Sequence, residues 1–209
     1  VTSAADRAEP AGEPLLDFLE DMRRLRRECP WKREQTHRSL ARYLQEETAE
    51  TLEAIDSGDD AHLREELGDL LLQVYFHAVI AEETDTFTPD DVARGISDKM
   101  RRRNPHVFGP DGGPTEMSAA EVDAQWQRIK AAEKPRRTPY DGISATLPAL
   151  LLATKILERE PRAASGLPDA GDSTADVGDR LFALVADAMA LGVDPEQALR
   201  DAVGRAVPR

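Results

Sequence analysis

Residues 39–83 read SLARYLQEETAETLEAIDSGDDAHLREELGDLLLQVYFHAVIAEE. Two long segments of helical period are parted by Ser57-Gly58-Asp59-Asp60, a cluster that stops one helix and starts the next. The spacing predicts a hairpin, with one helix from about Ser39 to Ile55 and another from about Asp60 to Glu83. In the first, Leu44, Thr48, Leu52 and Ile55 fall on one side and are expected to face a core. Across from them run Glu46, Glu47, Glu50 and Glu53; at about 100° per residue, Glu47 and Glu50 lie one turn apart on a single face. The second helix repeats that spacing with Glu66 and Asp69. Leu67, Leu70, Leu71, Leu72, Val74 and Phe76 surround the pair, so this helix is apolar nearly all round and is expected to be central.

Two ionised carboxylates on the edge of an apolar helix repel each other and resist leaving water, a cost on the order of several kcal/mol when nothing pairs with them. A divalent cation removes both difficulties. If the arms of the hairpin pack antiparallel, Glu47, Glu50, Glu66 and Asp69 converge. That all-oxygen set suits magnesium, which keeps room for water and substrate phosphates, with manganese as a substitute. The alternative is a solvated acidic face paired with arginines.

Working outward, Leu15, Phe18, Leu19, Met22 and Leu25 mark an earlier helix, ended at Cys29-Pro30-Trp31. Thr88-Pro89 opens another that runs to Arg103. Asn104 to Pro114 holds three prolines and three glycines and is expected to be loop. Ser118 and Glu121 form a capping box for a helix to Glu133, and Leu147–Glu160 and Val177–Leu191 are further helices. No segment alternates apolar and polar residues, so the fold class is all-α. The organisation reads as a loose tail over 1–13, a helical domain over 14–134, a linker over 135–144 and a second helical repeat over 145–209. This repeat is degenerate. Asp176-Val177-Gly178-Asp179 echoes Glu66-Leu67-Gly68-Asp69, and Asp194-Pro195 echoes Thr88-Pro89, but no acidic helix precedes the second copy. Chance similarity between two apolar helices is the alternative.

The 209 residues carry 27 Lys plus Arg against 40 Asp plus Glu, a net charge of −13. That balance argues against a general nucleic-acid coat or a binder of anionic membranes. One cysteine, Cys29, excludes an internal disulfide and fits a reducing compartment. Leu70 to Ala81 is the longest apolar stretch and is broken by Gln73 and His77, well short of the roughly 18 residues of a membrane helix. With no signal-like core at the start, a cytoplasmic location is expected.

Cations cluster nonetheless. Lys99 and Arg103, one turn apart at the end of their helix, either clamp a polyphosphate or answer the helix dipole. Trp31 and Trp126 are either core aromatics or faces on which a base stacks. Cys29 has no indicated histidine partner; His37, His77 and His106 lack zinc-ligand spacing, and there is no phosphate-binding glycine loop.

In order, Cys29-Pro30-Trp31 with Gln35-Thr36, Glu46-Glu47-x-x-Glu50, Glu66-x-x-Asp69 and Asn104-Pro105-His106-Val107-Phe108 resemble the MazG-type nucleoside triphosphate pyrophosphohydrolases of the all-α NTP pyrophosphatase group. The resemblance spans roughly Leu15 to Lys134. The chain departs from the usual pattern at Lys32, where Asp is common, and at Asn104, where His is common. The resemblance implies a dimeric helical bundle that uses magnesium to cut NTPs or dNTPs into monophosphate and pyrophosphate, clearing the nucleotide pool. It further implies that Glu47, Glu50, Glu66 and Asp69 are metal ligands and that Glu46 holds or deprotonates the attacking water. Lys99 and Arg103 would meet the phosphates, and Trp126 would lie by the nucleotide, with Trp31 a further substrate-binding candidate. Two other readings stay open: a non-catalytic helical interaction module that retains a metal site, and a narrower enzyme resembling the dimeric dUTPases.

Overall fold

The turn at Ser57–Asp60 sets the architecture. Gly58 takes a left-handed conformation at φ 70° and closes α3, His37–Ser57, while Asp59 opens α4, Asp60–Glu82, by accepting from the N–H groups of Ala61 and His62. A left-handed cap followed at once by an aspartate N-cap reverses the chain in two residues, and the two helices pack along their length. This computed structural model describes residues 13–110, 112–113, 116–133 and 137–206. Nearly all of the expected tail, residues 1–12, and part of the expected linker, residues 135 and 136, lie outside the described residues.

Ahead of the hairpin come α1, Pro14–Glu28, and the short α2, Pro30–Glu34; after it come α5, Pro89–Arg103, α6, Pro105–Phe108, and α7, Ala119–Glu133. No strand occurs among the described residues. Thr88 and Asp91 cap α5 reciprocally, and Ser118 and Glu121 do the same ahead of α7. The stretch expected to be loop after Arg103 contains one helical turn, α6. Pro105 occupies its first position, where a missing N–H costs nothing, and Gly109 N–H closes it on the Pro105 carbonyl.

Two compact units divide the chain, Val1–Trp126 and Gln127–Arg209. In the first, α4 is central, packing against α1, α3 and α5. Leu19 and Met22 of α1, Leu40 of α3 and Phe76, Val79 and Ile80 of α4 form the buried core, with Phe18, Tyr43, Leu72 and Tyr75 against it. Met22 and Phe76 are shut off almost completely from solvent, so truncating Phe76 to alanine removes about 3–5 kcal/mol.

Ion pairs fasten the same end of the unit. Arg23 donates through two nitrogens to Glu82 at 2.6 and 2.8 Å, and Arg26 through two to Glu83 at 2.5 and 2.8 Å. Arg26 is buried and also donates to the backbone carbonyls of Lys32 and Gln35, so one guanidinium ties α1, α2 and α4 together.

One expectation fails on α3. Leu44, Thr48, Leu52 and Ile55 do not face the core of this chain; the side turned inward carries Leu40, Glu47, Thr51 and Ala54. Small Ala54 and Thr51 let the hairpin arms approach, and the Thr51 hydroxyl is satisfied by the Glu47 carbonyl at 2.7 Å. The register that exposes the leucines is therefore the one that turns Glu47 toward α4.

In the second unit, α8, Ala149–Arg159, packs with α9, Val177–Ala190, and α10, Pro195–Ala206, around Leu157, Ala183, Val185 and Pro195. Pro161–Ala164 forms a 3-10 turn. The echo of Glu66–Asp69 differs in setting: Asp176 is the N-cap of α9, accepting from Gly178 and Asp179, whereas Glu66 lies well inside α4. With Pro161 and Pro168 in the preceding segment, no helix reaches Asp176 from upstream.

Candidate active site

Antiparallel packing of α3 on α4 brings Glu47, Glu66 and Asp69 together, each offering a carboxylate oxygen within 4.8 Å of the others. Glu66 is buried, Glu47 and Asp69 half-buried. Glu50 stands exposed one turn further along α3, outside the triad but near enough for its charge to act on Glu47. The Glu47 carboxyl is pushed above its ordinary value, first by burial and then by the charges of Asp69 and Glu50, with Glu66 adding to them.

Glu66 is the most enclosed of the four. Its Oε1 lies 3.2 Å from His62 Nε2, and its Oε2 is buried with no hydrogen-bond partner. An orphaned carboxylate oxygen beside two more acids is costly unless a cation joins it. The donors are all hard oxygens, the set that magnesium or manganese takes and that zinc or copper sites seldom use alone. The residues present therefore fit a divalent ion.

Glu46 stands exposed on α3 and is not part of the triad. Arg103, at the last turn of α5, has its guanidinium carbon 4.9 Å from the Trp126 ring centroid, and Lys99 is half-buried one turn earlier. His106 of α6 reaches Gln125 of α7 at 3.2 Å, tying α6 to the turn of α7 that carries Trp126. Trp31, about half exposed, meets Tyr43 edge-on with ring centroids 5.9 Å apart.

One feature escaped the spacing rules. His37 and His77, forty positions apart, stack with their Nδ1 atoms 2.8 Å apart; burial, then the His37 charge, lowers the His77 pKa. Only the fold brings them together. His62, by contrast, stands four residues before Glu66, a readable one-turn spacing.

Residues 35–108, from the end of α2 through α6, match the MazG nucleotide pyrophosphohydrolase domain. A nucleoside triphosphate pyrophosphohydrolase/pyrophosphatase of Thermotoga maritima is 38% identical, over 94% of this chain and 83% of its own length. The chain belongs to the MazG family. An uncharacterized 26.1 kDa protein of Streptomyces cacaoi is 46% identical over 91% of this chain and 78% of its own length. The nucleoside triphosphate pyrophosphohydrolase of Mycobacterium tuberculosis is 47% identical over 75% of this chain, and the match spans 47% of that protein. The chain thus spans about half the length of its mycobacterial relative. The MazG match contains the whole hairpin, so Glu47, Glu50, Glu66 and Asp69 all lie inside it, as do Lys99 and Arg103; Trp31 and Trp126 lie outside.

Proposed function

We propose that this MazG chain hydrolyses nucleoside triphosphates to nucleoside monophosphate and pyrophosphate, with Glu47, Glu50, Glu66 and Asp69 holding Mg2+. The observation that carries this reading is the convergence of three carboxylates within 4.8 Å around an unpartnered buried oxygen of Glu66. When bound, the ion offsets the charge of the triphosphate and of the departing pyrophosphate.

The chain's own groups do the rest. Lys99 and Arg103 meet the phosphate oxygens, where fixed positive charge opposes the charge that accumulates as pyrophosphate leaves. Trp126, already under the Arg103 guanidinium, offers its other face to the base. Trp31 is a second, exposed aromatic surface for the nucleotide. Water attacks the α-phosphorus, the bond from that phosphorus to the oxygen bridging to the β-phosphate breaks, and a carboxylate oxygen of Glu46 takes the proton. Glu46 suits that task because it adjoins Glu47 in sequence yet stays open to solvent.

A homodimer is the reading supported by the apolar residues the hairpin leaves outside: Leu44, Leu52 and Ile55 of α3 and Leu67 and Val74 of α4 are each 39–54% exposed. Sedimentation at micromolar concentration should give twice the chain mass. No helix among the described residues is long and apolar enough to cross a membrane.

The test is hydrolysis of an NTP panel with Mg2+ in 18O-water. The expected products are monophosphate and pyrophosphate, with the label in the monophosphate. Label in the pyrophosphate places attack on the β-phosphorus, and diphosphate with free phosphate contradicts the assignment outright. A protein that turns over no nucleotide with any divalent ion returns the reading to a non-catalytic module.

A further inference from the structure

His62 stands on the first turn of α4, less than half exposed, with Nε2 3.2 Å from Glu66 Oε1. Its backbone is pinned as well: Asp59 Oδ1 accepts its N–H at 3.2 Å and that of Ala61 at 2.9 Å. A short chain of contacts therefore runs from the hairpin turn, through the cap and the imidazole, to the most buried acid of the cluster.

Glu66 has three side-chain torsions, and freezing them costs rotamer entropy each time a ligand needs the carboxylate in one place. His62 Nε2 stands 3.2 Å from Oε1, and Oε2 is left buried and without a partner beside Glu47 and Asp69. We propose that His62 is a positioning residue for the cation site: its Nε2–H holds Glu66 Oε1 so that Oε2 is presented as a ligand before any ion arrives. This rests on the reading of the acid cluster as a cation site. An imidazole tautomer with its proton on Nε2 donates without needing a formal charge. Arginine or lysine at the same place would compete with the ion for Glu66. Hydrogen bonds to ligating groups commonly tune metal affinity by about 10- to 100-fold.

The test uses the full chain with Mn2+ alone, following the loss of the free-ion EPR signal, in wild type and in His62→Gln, His62→Asn and His62→Leu. Glutamine sets an amide N–H near the Nε2 position; asparagine is polar but too short to reach Glu66. Position 62 is partly open, and a melting curve of each variant checks that it folds. The expected result is Mn2+ binding weakened about 10- to 100-fold in His62→Leu and His62→Asn and largely restored in His62→Gln. Turnover lost by His62→Leu should return at raised Mg2+, with the KM for nucleotide at saturating metal unchanged. Equal Mn2+ affinity in all four proteins overturns the proposal. So does a His62→Gln protein as weak as His62→Leu, because the imidazole would then itself be the ligand. If wild type binds no Mn2+, the cation-site reading falls and this inference with it, an outcome distinct from the other two.

Discussion

Glu47 of α3 and Asp69 of α4 face each other across the hairpin with carboxylate oxygens within 4.8 Å, and the charge of Asp69 helps raise the Glu47 pKa. Without a cation this contact opposes folding at neutral pH. A carboxyl whose pKa is raised in the folded state carries no penalty below its ordinary value near 4.5. The penalty develops as pH rises through the folded-state value and persists above it. Metal-free Glu47→Gln should therefore melt above wild type at pH 7.5, and the gap should close as pH falls toward 4.5. Mn2+ should reverse the order by stabilising wild type more than the variant. Scanning calorimetry over that pH range, with and without the ion, measures both effects.

Arg26 supplies a contrast between a buried and an exposed cation. It is 7% exposed and serves Glu83 and two backbone carbonyls, so Arg26→Met leaves several acceptors without a donor. The expected loss is about 2–4 kcal/mol by urea unfolding. Arg24, on the same helix, pairs with Glu28, and both side chains are mostly exposed. Arg24→Met should leave the midpoint where it was.

Two glycines predict opposite signs. A Cβ at Gly58 meets nothing within 4 Å, but its φ of 70° is left-handed, so Gly58→Ala should cost about 1 kcal/mol through backbone strain alone. Gly95, inside α5, also has open space and carries no such conformation; Gly95→Ala should add up to about 1 kcal/mol. Thermal melts of the two single variants decide the signs.

Trp126 lies under Arg103, and the pair is the proposed nucleotide platform. In a Trp31→Phe background, which leaves Trp126 as the only tryptophan, NTP should quench the fluorescence. Trp126→Leu should raise KM about tenfold with a smaller change in kcat, in line with the loss of base stacking. An unchanged KM moves the base elsewhere.

Much of this was legible in the sequence because it is local. The Ser57–Asp60 stop, the Thr88–Asp91 and Ser118–Glu121 caps, and the one-turn spacing of Glu66 and Asp69 are written in neighbouring residues. What the sequence hid depends on how helices are rotated about their own axes. The apolar pattern turns Leu44, Leu52 and Ile55 inward, whereas the structure turns Glu47, Thr51 and Ala54 inward, because the small pair permits close packing. The Arg23–Glu82 and Arg26–Glu83 pairs and the His37–His77 stack join residues forty or more positions apart, beyond any helical repeat. The turn of α6 was obscured by the prolines and glycines around it, although Pro105 at its first position is a helix-compatible proline.

The most direct measurement is a crystal grown with Mn2+ and a non-hydrolysable NTP analogue, recorded for anomalous scattering. The expected result is a peak among Glu47, Glu66 and Asp69, about 2.1 Å from carboxylate oxygens, with the triphosphate completing an octahedral shell. Nucleotide bound with no peak there, or with the triphosphate held away from these acids, contradicts it.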